Sequence, residues 1–136
     1  MDRTLVIIKP DGVERGLVGE ILARLEAKQL RIGACELRTI DVTTAQSHYA
    51  EHEGKSFYSD LVAFITRGPA LITVIEGSGD TWKVVRNLMG STDPKQAAPG
   101  TIRGDLAINM SENLIHGSDS LESAQREIEI FFPQLA

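Results

Sequence analysis

The sequence predicts an α/β sandwich in which helices pack against a small sheet, folded as one domain over residues 1–136. Two observations lead to this class. Strand-like and helix-like patterns alternate along the chain, which is typical of helices layered on a sheet. The composition, with 42% hydrophobic and 24% charged residues, is that of a globular protein with a single core. The order of the strands is not readable from this pattern.

The first three elements are predicted from apolar patterns. The β-branched run TLVIIK at 4–9 predicts a buried strand that ends at Pro10. Apolar residues then recur at helical spacing and predict an amphipathic helix over about 17–28. The stretch IGACELRTI at 32–40 predicts the second strand.

Two helices are predicted next. The stretch TTAQ matches a capping box, with Thr43 as the cap and Gln46 reaching back, and opens a helix that runs towards His52. Gly54 interrupts this helix. The stretch FYSDLVAFIT at 57–66 predicts another helix.

The second half of the chain begins with a predicted strand, ALITVI at 70–75, and a helix around 80–89. A long irregular stretch runs from Gly90 to Gly104, and such loops in compact domains are often functional. The run DLAINM at 105–110 predicts the fourth strand.

A last helix is predicted near the C-terminus. Its apolar face is formed by four residues, Leu121, Ala124, Ile128 and Phe131. Asp119 and Glu122 lie at its predicted capping positions, and Ser118 and Ser120 can also cap it.

The charge balance excludes one class of function. With a net charge of −5, the chain is not expected to coat nucleic acid by bulk electrostatics. Between Lys83 and Arg103, however, four cationic residues stand against Asp93 alone, a local balance of +3. Either this segment binds a small anion, or its cations are scattered and solvated.

The sequence shows no feature of export or membrane insertion. No apolar run approaches the ~20 residues of a membrane span, and MDRTLVIIKPDG lacks the pattern of a secretory signal. Cys35 is the only cysteine, so an internal disulfide is excluded and a cytoplasmic location is expected. We interpret Cys35 as a small buried strand residue.

Most catalytic motifs fail on inspection. The sequence has no phosphate-binding P-loop, and in EGSGDTW the third glycine of a dinucleotide fingerprint is replaced by Trp82. His48 and His52 have the spacing of two zinc ligands on a helix, but the glutamate of HYAEH is in the wrong place for a metalloprotease. We therefore interpret both histidines as surface or satisfied helix residues, and predict no metal-ligating side chains.

The stretch NLIHGSDS places His116 before a glycine and three small polar residues. Much of a free imidazole is uncharged at neutral pH, as a nucleophile requires. Gly117 removes a side chain beside the ring and allows an unusual turn. Taken alone, the pattern also fits a solvated loop histidine in front of a helix cap.

Two further residues strengthen the case for chemistry at His116. Glu127 lies on the flank of the apolar face of the last helix, where a carboxylate can hold a histidine in one tautomer. Lys9 follows a buried strand and precedes a loop, a common place for functional residues. An exposed glutamate and a solvated strand end are the alternatives.

Four motifs together resemble one family. IIKPDGVERGLVGEI, HYAEH, GTIRGD and NLIHGSDS, in this order and spacing, resemble nucleoside diphosphate kinases, and the resemblance extends from Thr4 to Phe132. It implies a ferredoxin-like βαββαβ core with a four-stranded antiparallel sheet and an inserted helical pair, here supplied by residues 48–66. It also implies γ-phosphoryl transfer between nucleotides by a ping-pong reaction through a phosphohistidine.

The resemblance implies roles for individual residues. His116 is the expected phosphoryl acceptor, Glu127 and Ser118 orient it, and Lys9 is a catalytic cation. The residues expected to contact phosphates or ribose are Lys9, Tyr49, Arg86, Thr92, Arg103 and Asn113. Phe57, with Leu61 nearby, is expected to stack on the base, and stacking alone tolerates purines and pyrimidines.

The resemblance also implies Mg²⁺ held mainly by the nucleotide phosphates, and a homo-oligomer, with a hexamer first and a tetramer second. Ser56 departs from the proline that many relatives carry before the stacking aromatic.

Two rival functions remain at this point. A ferredoxin-like nucleotide sensor would bind without turnover, and a phosphorelay carrier would receive phosphate from a partner protein.

Overall fold

The computed structural model describes residues 2–136; Met1, which the single-domain prediction includes, lies outside the described residues. Four strands form one antiparallel sheet: β1 (Asp2–Ile8), β2 (Arg31–Arg38), β3 (Ala70–Gly77) and β4 (Ile115–Gly117). Their order is β2-β3-β1-β4. The predicted four-stranded antiparallel sheet is therefore confirmed.

Seven α-helices surround the sheet within the described residues. They are α1 (Pro10–Glu14), α2 (Val18–Ala27), α3 (Val42–His48), α4 (Tyr58–Ile65), α5 (Thr81–Met89), α6 (Ile102–Leu106) and α7 (Leu121–Phe131). Short 3-10 helices follow α3 at Ala50–His52 and α7 at Pro133–Leu135. The inserted helical pair between β2 and β3 consists of α3 and α4, so it begins at Val42 rather than at the predicted His48.

The sheet is covered on both faces because successive strand residues point to opposite sides. On one face, Val6 and Ile8 pack in a core with residues of α2 and α5. On the other face, Leu5 and Ile7 pack in a second core with residues of α3, α4 and α7. The central strands β1 and β3 are buried almost throughout, which explains their continuous apolar sequence.

The predicted fourth strand at 105–110 is wrong. Residues 105 and 106 belong to α6, which begins after Thr101 because the Thr101 side chain accepts a hydrogen bond from the backbone N–H of Gly104. The fourth strand is instead the three-residue β4, which contains His116. A strand this short has too few residues to show alternation.

Of the two helix caps predicted, one is wrong and one is confirmed. Asp41, not Thr43, caps α3 by accepting the backbone N–H of Thr44, and this helix ends at His48 before the 3-10 turn. For α7, the predicted capping by Ser120 is confirmed, since its side chain accepts the N–H of Ser123, whereas Asp119 precedes the cap.

Cys35 is exposed, contrary to its predicted burial. It lies on β2, which is an edge strand with β3 as its only neighbour in the sheet, and most of the strand is solvent-accessible. Within residues 2–136, no helix combines the length and the apolar character that crossing a membrane demands.

Candidate active site around His116

His116 is the middle residue of β4 and lies opposite Ile7 of β1. Because side chains alternate along a strand, Ile115 and Gly117 face the core formed with α5, and His116 faces α7. The alternative of a solvated loop histidine is therefore wrong, because His116 lies in a strand. The His116 side chain is 22% exposed, which is enough for a small ligand to reach it.

Glu127 lies on α7 directly against this ring. Its Oε1 lies 2.8 Å from Nε2 of His116, and the Ser118 hydroxyl donates a second hydrogen bond of 2.7 Å to the same oxygen. Burial acts to raise the pKa of Glu127, but its hydrogen bond and charge interaction with His116 outweigh burial and lower the pKa to about 2. An ionised carboxylate at this position requires a proton on Nε2, which leaves the lone pair of a neutral imidazole on Nδ1.

The role of Gly117 differs from the prediction. Its backbone does not adopt the left-handed conformation. A Cβ at this position would lie 2.6 Å from Sδ of Met89, so the glycine leaves room for the Met89 side chain where α5 approaches β4.

Two arginines bind the main chain beside His116. Arg103 donates from Nη2 to the carbonyl of Ile115 at 2.6 Å, and Arg86 donates from Nη1 to the carbonyl of Gly117 at 3.0 Å. Arg103 also donates to the carbonyls of Asn113 and Gly90. Burial, and then the charge of Arg86, lower the pKa of Arg103 to about 10, so the Arg103 guanidinium still carries charge at neutral pH.

Lys9 and Asn113 form the next part of the site. The ammonium of Lys9 donates to Oδ1 of Asn113 at 2.9 Å, and the Asn113 amide donates to the carbonyl of Thr92 at 2.9 Å. Burial, and then the charge of Arg103, lower the pKa of Lys9 to about 8. Thr92 contacts Asn113 only through its backbone carbonyl, and Thr92 as a whole is exposed.

Asp11 was not predicted as a site residue, although it belongs to the KPD motif. Its Oδ2 accepts the backbone N–H of Leu114, and the carbonyl of Leu114 accepts the backbone N–H of Lys9 at 2.8 Å. Leu114 has a φ of 75°, a conformation that a branched side chain rarely adopts. Asp11 thus holds the strained residue that leads the chain into β4.

His48 was wrongly interpreted as a surface or satisfied residue. It is only 3% exposed, and neither of its ring nitrogens meets a hydrogen-bond partner among residues 2–136. Its ring lies edge-on to that of His116, with centroids 4.7 Å apart and planes at 86°. Burial, and then the charge of His116, lower the pKa of His48 to about 3.

A series of ring contacts extends from His116 to Phe57. After the contact between His116 and His48, the ring centroids of His48 and Tyr49 lie 4.6 Å apart. Those of Tyr49 and His52 lie 6.3 Å apart, and those of His52 and Phe57 lie 5.4 Å apart. Burial, and then the charge of Glu127, raise the pKa of Tyr49 to about 12, so its hydroxyl remains protonated. Phe57, at the far end of this series, is 45% exposed, and the ammonium of Lys55 lies over its ring, 5.7 Å from the centroid.

The structure therefore brings most of the predicted residues into one region. Leu61 is one turn along α4 and donates its N–H to the carbonyl of Phe57. The other cations of the basic segment, Lys83 and Lys95, are exposed and make none of the contacts described above. A surface cavity of about 570 Å³ opens elsewhere, between the start of β1 and α7, and none of the predicted site residues lines it.

The donor set also fits a divalent cation that is carried by a ligand. Oε1 of Glu127 is engaged by His116 and Ser118, and Oδ2 of Asp11 accepts from Leu114, while Oδ1 of Asp11 is buried without a partner among residues 2–136. Cations, rather than a group of free carboxylates, surround His116 in the part of the chain that the structure describes. This arrangement fits a divalent cation bound through phosphate oxygens.

An antiparallel sheet that presents an oriented histidine beside cationic side chains indicates a class, the proteins that bind phosphorylated ligands. The family model for nucleoside diphosphate kinase matches residues 2–136. The chain therefore belongs to the nucleoside diphosphate kinase family, whose members are nucleotide-binding enzymes that transfer the γ-phosphoryl group between nucleotides.

Individual relatives agree with this assignment. The chain is 55% identical to a nucleoside diphosphate kinase of Thermobifida fusca, with both chains fully covered. It is 57% identical to one of Mycobacterium tuberculosis over 97% of each chain. A solved structure from Halobacterium salinarum, a nucleoside diphosphate kinase in complex with CDP, shares 51% identity and a TM-score of 0.93 over 96% of this chain and 87% of that one.

Proposed function

We propose that His116 is the residue that accepts and returns the phosphoryl group in this chain's γ-phosphoryl transfer. The observation that carries this proposal is the 2.8 Å contact between Nε2 of His116 and the ionised Glu127. This contact leaves the lone pair on Nδ1 and holds the ring in one orientation. Ser118 supports the arrangement by donating to the same carboxylate oxygen.

The reaction proceeds in two balanced steps. The Nδ1 lone pair attacks the γ-phosphorus, the bond between that phosphorus and the bridging oxygen breaks, and the nucleoside diphosphate leaves with the bond electrons. A second nucleoside diphosphate then attacks the phosphohistidine through its terminal phosphate oxygen, and the P–N bond breaks. Nε2 keeps its proton throughout, because Glu127 accepts a hydrogen bond from this N–H in both steps.

The surrounding cations neutralise the phosphate charge. Three of the five N–H donors of Arg103 are used on backbone carbonyls, which fixes the guanidinium beside His116. Lys9 and Arg86 add two further positive charges. The groups expected to contact phosphate or ribose hydroxyls are Lys9, Tyr49, Arg86, Thr92, Arg103 and Asn113. Hydrogen bonds already hold Lys9, Arg86, Arg103 and Asn113, so these four groups need little reorganisation when the nucleotide binds.

The base of the nucleotide is proposed to stack on the exposed ring of Phe57, near Leu61. The series of rings between His116 and Phe57 supports this placement, since it connects the nucleophile to an accessible aromatic face. Stacking does not read the edge of a base, so purines and pyrimidines are both accepted.

Mg²⁺ is the proposed divalent cation, bound mainly by the nucleotide phosphates, where it offsets their charge during transfer. The proposed assembly is a homohexamer, with a homotetramer as the second candidate. The proposed location is the cytoplasm, because the lone Cys35 requires no oxidising compartment.

The test is phosphorylation of the purified protein by labelled ATP and Mg²⁺. The expected product is an acid-labile, base-stable phosphoprotein that forms labelled GTP when GDP is added. His116→Ala should abolish both signals, while His52→Ala should retain them. A nucleotide sensor would form neither product, and a phosphorelay carrier would be labelled only with a partner protein present; either result would overturn the proposal.

A further inference from the structure

Three side chains around the nucleophile have the chemistry of a metal site. One ring nitrogen from His48, one from His116 and one carboxylate oxygen of Glu127 all lie within 4.8 Å of one another. Two imidazoles and a carboxylate, with a fourth position open, form a ligand set that suits Zn²⁺ and related divalent transition metals.

A second, independent observation points to a ligand at this place. His48 is almost completely buried, yet neither ring nitrogen has a hydrogen-bond partner in the described chain. Buried polar atoms are nearly always paired, so two unpaired nitrogens beside His116 require an explanation. A bound metal ion would engage one of these nitrogens directly.

We propose that His48, His116 and Glu127 form a binding site for one Zn²⁺-type transition-metal ion. Nε2 of His116, the nitrogen beside Glu127, is the ligand atom of that residue. The ion takes the place of the proton between Nε2 and Oε1, and the 22% exposure of the His116 side chain brings the site close to solvent. The hydroxyl of Ser118 already orients the carboxylate, as a supporting hydrogen bond does at metal sites.

Metal binding at Nε2 has a consequence for catalysis, which rests on the proposed role of His116. A neutral imidazole carries one N–H, so a metal on Nε2 moves that proton to Nδ1 through solvent. The lone pair on Nδ1 is then lost, and no bond to phosphorus can form. Zn²⁺ and the phosphoryl group therefore exclude each other on the same ring. Mg²⁺ does not compete for this site, because it prefers oxygen ligands.

The binding experiment is independent of activity. The protein without nucleotide is titrated with Zn²⁺ against a chromogenic chelator, and with Co²⁺ to record the visible absorption of a low-coordinate cobalt centre. One ion per chain is expected, unaffected by a millimolar excess of Mg²⁺. His48→Phe and Glu127→Gln should each weaken Zn²⁺ binding by at least about 10-fold. His48→Phe keeps a ring in the aromatic packing, and Glu127→Gln keeps the side-chain size, so the two variants guard against a failure to fold.

The matched control is His52→Phe, which removes the other histidine of HYAEH. It should bind Zn²⁺ as the unmodified chain does. Equal binding in all variants, loss of binding only in His52→Phe, or no binding at all would each overturn the proposal.

The two proposals can fail separately. If Zn²⁺ binds as described but phosphorylation by ATP continues unchanged in the saturated protein, the metal site stands and the role of His116 falls. If the phosphoprotein forms on His116 but no Zn²⁺ binds, the role of His116 stands and the metal site falls.

Discussion

Arg103 and Arg86 bind the main chain on the two sides of His116. Arg103 donates to the carbonyl of the preceding residue, Ile115, and Arg86 donates to the carbonyl of the following residue, Gly117. The two guanidinium groups therefore fix the three-residue strand β4 and place positive charge beside the histidine. One pair of side chains serves both local structure and the electrostatics of the site.

Arg103→Lys should lower both stability and activity. An ammonium cannot span the carbonyls of Asn113, Gly90 and Ile115 at once. At least one buried carbonyl then lacks a partner, which costs about 1–3 kcal/mol of the free energy of unfolding. The ammonium keeps a positive charge but is not held where the guanidinium was, and this displacement should reduce kcat/KM by about 10²-fold. Denaturant unfolding and steady-state kinetics measure the two effects.

The control for this prediction is the reverse exchange, Lys95→Arg, at an exposed position of the same basic segment. Its free energy of unfolding should remain within about 0.5 kcal/mol of the unmodified chain. If Arg103→Lys behaved like Lys95→Arg, the contacts of Arg103 would not matter to either property.

The strong local patterns predicted most of the fold. The apolar run of β1 and the helical spacing of α2 and α7 depend on residues close in sequence, and all three elements are present. β4 was missed because three residues carry no periodicity. The irregular stretch after Gly90 was predicted to extend to Gly104, but α6 begins within it at Ile102.

The site depended more on contacts between distant residues. Lys9 and Asn113 are 104 positions apart, and no local pattern brings them together. Their roles came from the family resemblance. His48 was misinterpreted because helix spacing cannot reveal that the last turn of α3 faces β4. Glu127 was predicted from the sequence because the helical spacing of the apolar residues of α7 shows that Glu127 lies at the border of their buried face.

Glu127→Gln should slow formation of the phosphohistidine by about 10²-fold, as expected for loss of an oriented charged partner. The glutamine keeps the size of the side chain but no longer stabilises a proton on Nε2 by its charge. Rapid-quench phosphorylation by labelled ATP measures this step. Glu129→Gln, at an exposed position of α7, is the matched control and should retain the normal rate. Equal rates for the two variants would contradict the role of Glu127.

His48→Phe should leave the free energy of unfolding unchanged or raise it by about 1 kcal/mol, because it removes two buried nitrogens that have no partners among residues 2–136. The phenyl ring can keep the edge-on contacts with His116 and Phe131. Thermal and denaturant unfolding without added metal give the value. A loss of several kcal/mol would show that His48 is paired in solution, contrary to the structure.

The pKa of Lys9, lowered to about 8, predicts an alkaline loss of activity in the free enzyme. The ammonium is charged below this pKa and neutral above it, so kcat/KM should fall as the pH rises above about 8. Bound phosphates favour the charged form, so the fall in kcat should occur at higher pH. Lys9→Arg should move the fall in kcat/KM upward, because a guanidinium stays charged in this range.

As the pH rises, the contribution of Lys9 to the free energy of unfolding should increase while kcat/KM decreases. Between pH 8 and 10.5 the unfolded chain holds the Lys9 proton more tightly than the native chain, so the contribution of this residue to the free energy of unfolding rises with pH. The comparison is with Lys9→Met, which has no titratable group there. The unmodified chain should gain stability relative to Lys9→Met across this window while its kcat/KM falls. A parallel loss of both quantities would mean that alkaline unfolding, and not neutralisation of Lys9, ends the activity.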